Sequence, residues 1–156
     1  MTEFETPLVI GYDGSDHAKS AIAEAGTLFP GHEALIVSVY QSVAGAAPAA
    51  LGALPAGVVG EGAAKLDAAR REAAESLARE GAGLARDAGL EPHALADVAV
   101  GSVWPALRTL AEEKQARAVV VGSRGLSPLK ELILGSTSSG LVNHCKRPVL
   151  VVRDAA

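Results

Sequence analysis

An α/β domain with an open sheet of five parallel strands, right-handed crossovers and helices on both faces is expected for this chain of 156 residues. Three observations lead there. Short apolar runs such as Leu8-Val9-Ile10, Leu35-Ile36-Val37 and Val119-Val120-Val121 lack polar alternation, as strands buried on both faces require. Segments with apolar residues at helical spacing separate those runs. Glycines stand where the runs stop, at Gly14 and Gly122.

The first strand reads from Pro7 to Asp13, and Gly14 supplies its turn. Ser15 or Asp16 can cap the helix that follows, whose stripe of Ala18, Ala21, Ile22, Ala25 and Leu28 is assigned to the core. Pro30-Gly31 stops it. A second strand runs from Glu33 to Tyr40. Residues 41–62, rich in Ala, Gly and Pro and without periodicity, read as a long flexible loop leaving from the strand end where a ligand would lie. A helix is expected from Ala63 to Ala88, with Leu66, Ala69, Ala73, Leu77 and Leu84 inward, Gly81 and Gly83 weakening its end and Gly89 stopping it. Pro92 to Val100 forms a third strand. Gly101-Ser102 opens a helix through Val103, Trp104, Leu107 and Leu110, with Pro105 suited to its first turn. Val119 to Val121 and Pro148 to Arg153 complete the sheet.

Chemistry enters between the last two strands. Two residues separate Gly122 from Gly125, and nine more lead to Gly135 and the run Ser136, Thr137, Ser138 and Ser139. Glycines there can take left-handed conformations and admit a bulky anion to the main-chain amides. The hydroxyl run can cap the helix suggested by Leu141, Val142 and Cys145, whose first turn offers free N–H groups and a partial positive charge. A phosphate fits such a site. Each feature taken singly is also ordinary turn and cap chemistry. Asp13, at the carboxyl end of the first strand, is likewise either part of an Asp-Gly-Ser turn or a residue of the crevice where open parallel sheets bind ligands.

Gly122, Gly125, Gly135 and Ser136 match in full the Gly-x2-Gly-x9-Gly-(Ser/Thr) signature of ATP-binding universal stress proteins, and the chain resembles that family. LVIGYDGSDHAKSAI is similar to the family's N-terminal strand and turn, and SRGLSPLKELILGSTS with NHCKRPVLVV to its C-terminal half. The resemblance implies a Rossmann-like, adenine nucleotide alpha hydrolase-like fold with strand order 3-2-1-4-5, placing Asp13 and Gly122 face to face at the switch point. It implies ATP with Mg2+ as ligands, held by Asp13, Gly14, Ser15, Val39, Gly122, Arg124, Gly125, Gly135, Ser136, Thr137 and Ser138, with Asp13 on the metal. Val39 matches the position whose main chain meets adenine. Departures from the pattern are Pro128 in the loop, Thr137 where an apolar residue is common, and Ser38 where histidine is common. Lys130 is not a P-loop lysine, because Gly-x4-Gly-Lys-(Ser/Thr) is absent. Flavodoxin-like and electron-transfer flavoprotein folds have similar strand patterns, but the loop Gly14-Ser15-Asp16-His17 is too short and acidic to cradle a flavin phosphate.

Composition removes other classes. A net charge of −4 without a basic, aromatic-interleaved stripe argues against nucleic acid. Arg70, Arg71, Arg79 and Arg86 alternate with Asp67, Glu72, Glu75, Glu80 and Asp87 on what reads as a solvated helix face. No apolar run reaches the ~18 residues of a membrane span, and Met1 to Glu5 lacks signal-peptide character, so a cytoplasmic location is expected. The single Cys145 reads as a small buried hydrophobe. His17, His32, His93 and His144 read as surface or cap residues, since none has metal spacing to a partner. No arginine finger is apparent beyond Arg124, and no serine is paired by sequence with a histidine and an acid, which favours binding over efficient turnover. A slow ATPase or phosphoryl-transfer enzyme, and an interaction module using another nucleotide such as cyclic AMP, are the alternatives. The apolar run 148–153 at the sheet edge, with no helix after it, is expected to pair with a second copy as a homodimer.

Overall fold

Residues 6–44, 56–125 and 134–153 are described by the computed structural model of the chain. Among the described residues, five runs form strands β1 (Leu8–Gly11), β2 (Glu33–Gln41), β3 (Glu91–Ala99), β4 (Ala118–Gly122) and β5 (Val149–Val152), of which β1 and β4 end at glycines. All neighbours are parallel, in the order β3-β2-β1-β4-β5. The order reverses between β1 and β4, where Leu8 pairs with Ala118 and Ile10 with Val120. Among the described residues four helices connect them: α1 (Asp16–Leu28), α2 (Ala56–Asp87), α3 (Trp104–Glu113) and α4 (Ser136–His144).

Both sheet faces are covered, which is why the central strands are apolar without alternation. Leu8, Ile10, Ile36 and Val120 face one way, onto Ile22 of α1 and Ala82 and Ala85 of α2. Val9, Val37, Val119 and Val121 face the other way, onto Leu107 and Leu110 of α3 and Leu141 of α4.

Local chemistry sets the helix ends. Ser15 caps α1 by accepting from the Ala18 amide at 3.2 Å. Pro105 occupies the first turn of α3. Arg147 donates to the carbonyls of Ala116 and Gln115, bracing the turn before β4.

Several boundaries and faces differ from the sequence reading. Gln41 belongs to β2, and α2 begins at Ala56 instead of Ala63, shortening the expected loop 41–62; residues 45–55 lie outside the described part. Alanine-rich sequence continues a helix without the apolar stripe that marks its start. The buried face of α2 is Ala63, Ala74, Ala78, Ala82 and Ala85, whereas Leu66 and Leu84 are exposed, as are Ala69 and Ala73. Small residues bring the helix close to the sheet, so Leu66 and Leu84 fall outside the contact while Leu77 packs inward as expected. Leu28 of α1 is also half-exposed. Nor is α2's charged face wholly solvated. Asp67 accepts from the Ser42 hydroxyl and the amides of Val43 and Ala44, and Arg70 donates to the Gln41 carbonyl. These bonds hold the Asp67 carboxyl below its ordinary pKa, the Ser42 bond first, and tie α2 to the end of β2. Cys145 is half-buried, following the last turn of α4.

Candidate functional site

At the carboxyl ends of β1 and β4 lies a cavity of about 470 Å³, within the range of small-molecule sites. Its walls are apolar: Val37 and Val39 from β2, Val103 just before α3 and Leu107 within it, Val121 from β4 and Leu134. Polar groups gather at one side, where Asp13, Arg124, Ser136 and Thr137 meet the glycine positions 122, 125 and 135.

Of the residues expected here, Asp13, Val39, Gly122, Arg124, Gly125, Gly135, Ser136, Thr137 and Ser138 line the cavity. Gly14 and Ser15 do not. Gly14 is left-handed, φ +82°, and lies under Leu77 of α2, while Ser15 is spent on the α1 cap. Ser38 is buried in β2 and lines nothing here; Pro128 and Lys130 fall outside the described residues.

Geometry revises the roles of the glycines. Among the described glycines, positive φ values occur at Gly14, Gly31, Gly89 and Gly101, but not at Gly122, Gly125 or Gly135. What these three positions need is space. A Cβ at Gly122 would stand 2.7 Å from the main chain of His17, so this glycine lets β4 pass against the first turn of α1. It is therefore Gly125, not Gly122, that faces the Asp13 carboxylate: a Cβ there would stand 2.6 Å from Oδ2. Gly135 has ordinary room, with Ser123 O 3.4 Å from its Cβ position.

The hydroxyl run does not cap α4. Gly135 is the N-cap, without a side-chain hydrogen bond, and Ser136 already belongs to the helix. Ser138, 1% exposed, directs its hydroxyl to the carbonyls of Ser123 and Gly135 at 3.0 and 3.1 Å. Ser123 O also accepts from the Gly135 amide at 2.8 Å, so one carbonyl closes the loop between β4 and α4. The α4 N-terminus is thereby aimed at the cavity without a side-chain cap, a favourable place for an anion.

Sequence reasoning missed the apolar walls, except Val39, because their residues look like any core valine or leucine. It also missed Tyr12 and His17. Tyr12 lines the cavity with its hydroxyl bonded to Glu80 on α2 at 2.5 Å. Burial first, then the Glu80 hydrogen bond and the charges of Glu80 and Asp13, push that hydroxyl's pKa well above the ordinary phenol value. His17 shares a 3.3 Å hydrogen bond with the Ser123 hydroxyl and is half-buried, not a surface residue. Of the other histidines, His144 stacks on Trp104 with centroids 4.7 Å apart, and His93 lies 3.3 Å from Glu33. No group of three or more His, Cys, Asp or Glu able to hold a metal ion occurs among the described residues. Among them, too, no helix is long and apolar enough to cross a membrane.

Comparison with known proteins agrees with this architecture. A universal stress protein from Thermus aquaticus, named for its position in the QAH/OAS sulfhydrylase 3' region, is 33% identical over 94% of this chain and 97% of its own length. Among solved structures, the hypothetical protein MJ0577 shares the fold with a TM-score of 0.78 at 19% identity, covering 98% of this chain and 99% of that one. A universal stress protein in complex with cAMP superposes with a TM-score of 0.60 at 28% identity, over 96% of this chain and 98% of that one. The family model for universal stress proteins matches residues 6–153, and the chain belongs to the universal stress protein family.

Proposed function

We propose that the cavity between β1 and β4 binds an adenine nucleotide, ATP with Mg2+, and that the protein acts as a nucleotide-dependent regulatory module of the stress response. The observation that carries this reading is the division of the cavity into an apolar pocket beside Val37, Val39 and Leu107 and a polar end at the uncapped N-terminus of α4. A base suits the first and phosphates suit the second. The complex of a relative with cAMP supports the same ligand class.

Asp13 is the residue that would meet the metal. Its Oδ1 accepts from the Ser15 amide at 3.0 Å, while Oδ2 faces Gly125. A single carboxylate suits Mg2+ only when phosphates supply further oxygens, which is the usual way that ion is held beside a nucleotide. The metal would neutralise phosphate charge; Gly125, Gly135, Ser136 and Thr137 would receive the phosphates. Arg124 lines the same end. Binding without efficient turnover belongs to the same reading, since the sequence has no Gly-x4-Gly-Lys-(Ser/Thr) lysine. A cytoplasmic location and a homodimer through residues 148–153 belong to the same reading.

The test is the Mg2+ dependence of ATP affinity in wild type and Asp13→Ala, with cyclic AMP as the comparison ligand. Asp13→Ala should weaken ATP about tenfold with Mg2+ and much less without it, because a carboxylate repels bare phosphates. Equal affinity with and without metal in both proteins would remove Asp13 from the metal. No binding of any adenine nucleotide by the wild type would overturn the reading.

A further inference from the structure

A single turn of α2, Leu77 to Gly81, covers the end of β1 and the turn into α1. Leu77 Cδ2 lies 3.1 Å from the Cβ position of left-handed Gly14. At Gly81 a Cβ would come within 2.9 Å of the Tyr12 ring and 2.7 Å of Ile36 Cγ2, so the helix seats on that ring only because residue 81 has no side chain. Adjacent Glu80 reaches the Tyr12 hydroxyl at 2.5 Å. Tyr12 is 3% exposed, lines the cavity and immediately precedes Asp13. Its amide donates to Val37 O at 2.9 Å, so β2 holds its main chain while α2 holds its ring.

Glu80 itself is exposed and adds nothing to either apolar core cluster. Its one side-chain hydrogen bond among the described residues is a contact with a buried phenol 68 residues away in sequence. We propose that Glu80 is a positioning residue for the nucleotide site: by accepting the Tyr12 hydroxyl it fixes the ring, and through the ring the Tyr12-Asp13 peptide that turns the Asp13 carboxylate toward Gly125. The inference rests on the nucleotide reading of the cavity.

Glu80→Ala, Glu80→Gln, Tyr12→Phe and the Tyr12→Phe/Glu80→Ala double variant separate the possibilities, each measured for Mg-ATP affinity and for amide hydrogen exchange at Tyr12 and Ser15 in the free protein. Glu80→Ala and Tyr12→Phe should each weaken binding about five- to tenfold, and the double variant no further, because both remove the same bond. Glu80→Gln keeps an acceptor and should bind within about twofold of wild type. Exchange at the two amides should quicken about tenfold in Glu80→Ala and Tyr12→Phe and stay unchanged in Glu80→Gln. Wild-type affinity in Glu80→Ala, or additive losses in the double variant, would overturn the proposal while leaving the nucleotide reading intact. If the wild type bound no nucleotide, that reading would fall instead, and unchanged exchange in Glu80→Ala would show that Glu80 does not hold the turn either.

Discussion

Asp13 Oδ2 and Gly125 face each other across the mouth of the cavity, so closely that a Cβ on the glycine would stand 2.6 Å from the carboxylate oxygen. The contact joins β1 to the loop after β4, and it exists because those strands are neighbours at the point where the sheet reverses.

Gly122 and Gly135 share a sequence signature but should fail differently. Gly122→Val drives a side chain into the His17 main chain and should cost about 1–3 kcal/mol or more of stability. Gly135→Val has room for its Cβ, so it should stay folded and lose nucleotide affinity by about tenfold or more as its methyls take phosphate space. Urea unfolding and titration calorimetry on both variants check the contrast; undiminished ATP affinity in folded Gly135→Val would refute the phosphate assignment.

Trp104 lies flat on Gly140, with His144 stacked on its ring and the Arg108 guanidinium 5.4 Å from the ring centroid. A methyl at residue 140 would overlap the indole, so Gly140→Ala should shift α3 against α4 at a cost of about 1–3 kcal/mol. The chain has one tryptophan, so intrinsic fluorescence reports the displacement directly. An unshifted emission spectrum with unchanged stability would contradict this packing.

Tyr12 couples stability to alkaline pH. Its folded pKa is raised, so both folded and unfolded chains keep the proton below the unfolded value of about 10. Above that value the unfolded state ionises first, and stability falls as pH rises toward the folded pKa. Urea midpoints from pH 8 to 11 should therefore decline in wild type and decline less in Tyr12→Phe. Identical slopes would mean that the phenol is not held protonated by its surroundings.

The two sheet edges are unequal. On β3, Pro92 lacks an amide hydrogen and Asp97 accepts from the Val98 amide at 2.8 Å, both of which discourage strand addition. On β5, Val149, Leu150 and Val151 are only half-buried. The expected homodimer should therefore form through β5, and Val149→Lys with Val151→Lys should convert it to a monomer with an unchanged far-ultraviolet spectrum. Wild type sedimenting as a monomer at high concentration would exclude this interface.

Periodicity and punctuation determine much of the molecule by themselves. The unalternating runs at Val9, Val37 and Val120 demand a sheet covered on both sides, Ser15 and Pro105 mark helix starts, and the 122–135 spacing marks the loop that borders the cavity. The strand order followed only from resemblance, since periodicity reports which face of an element is buried and not which element covers it. Tertiary structure alone decided that Gly122 serves α1 while Gly125 serves Asp13, that Ser138 closes a loop, that α2 buries alanines and exposes Leu66 and Leu84, and that Glu80 reaches Tyr12. The physical reason is common to all four. Each depends on how closely two elements distant in sequence approach, a distance set by side-chain volumes on both at once, which no local pattern in either one encodes.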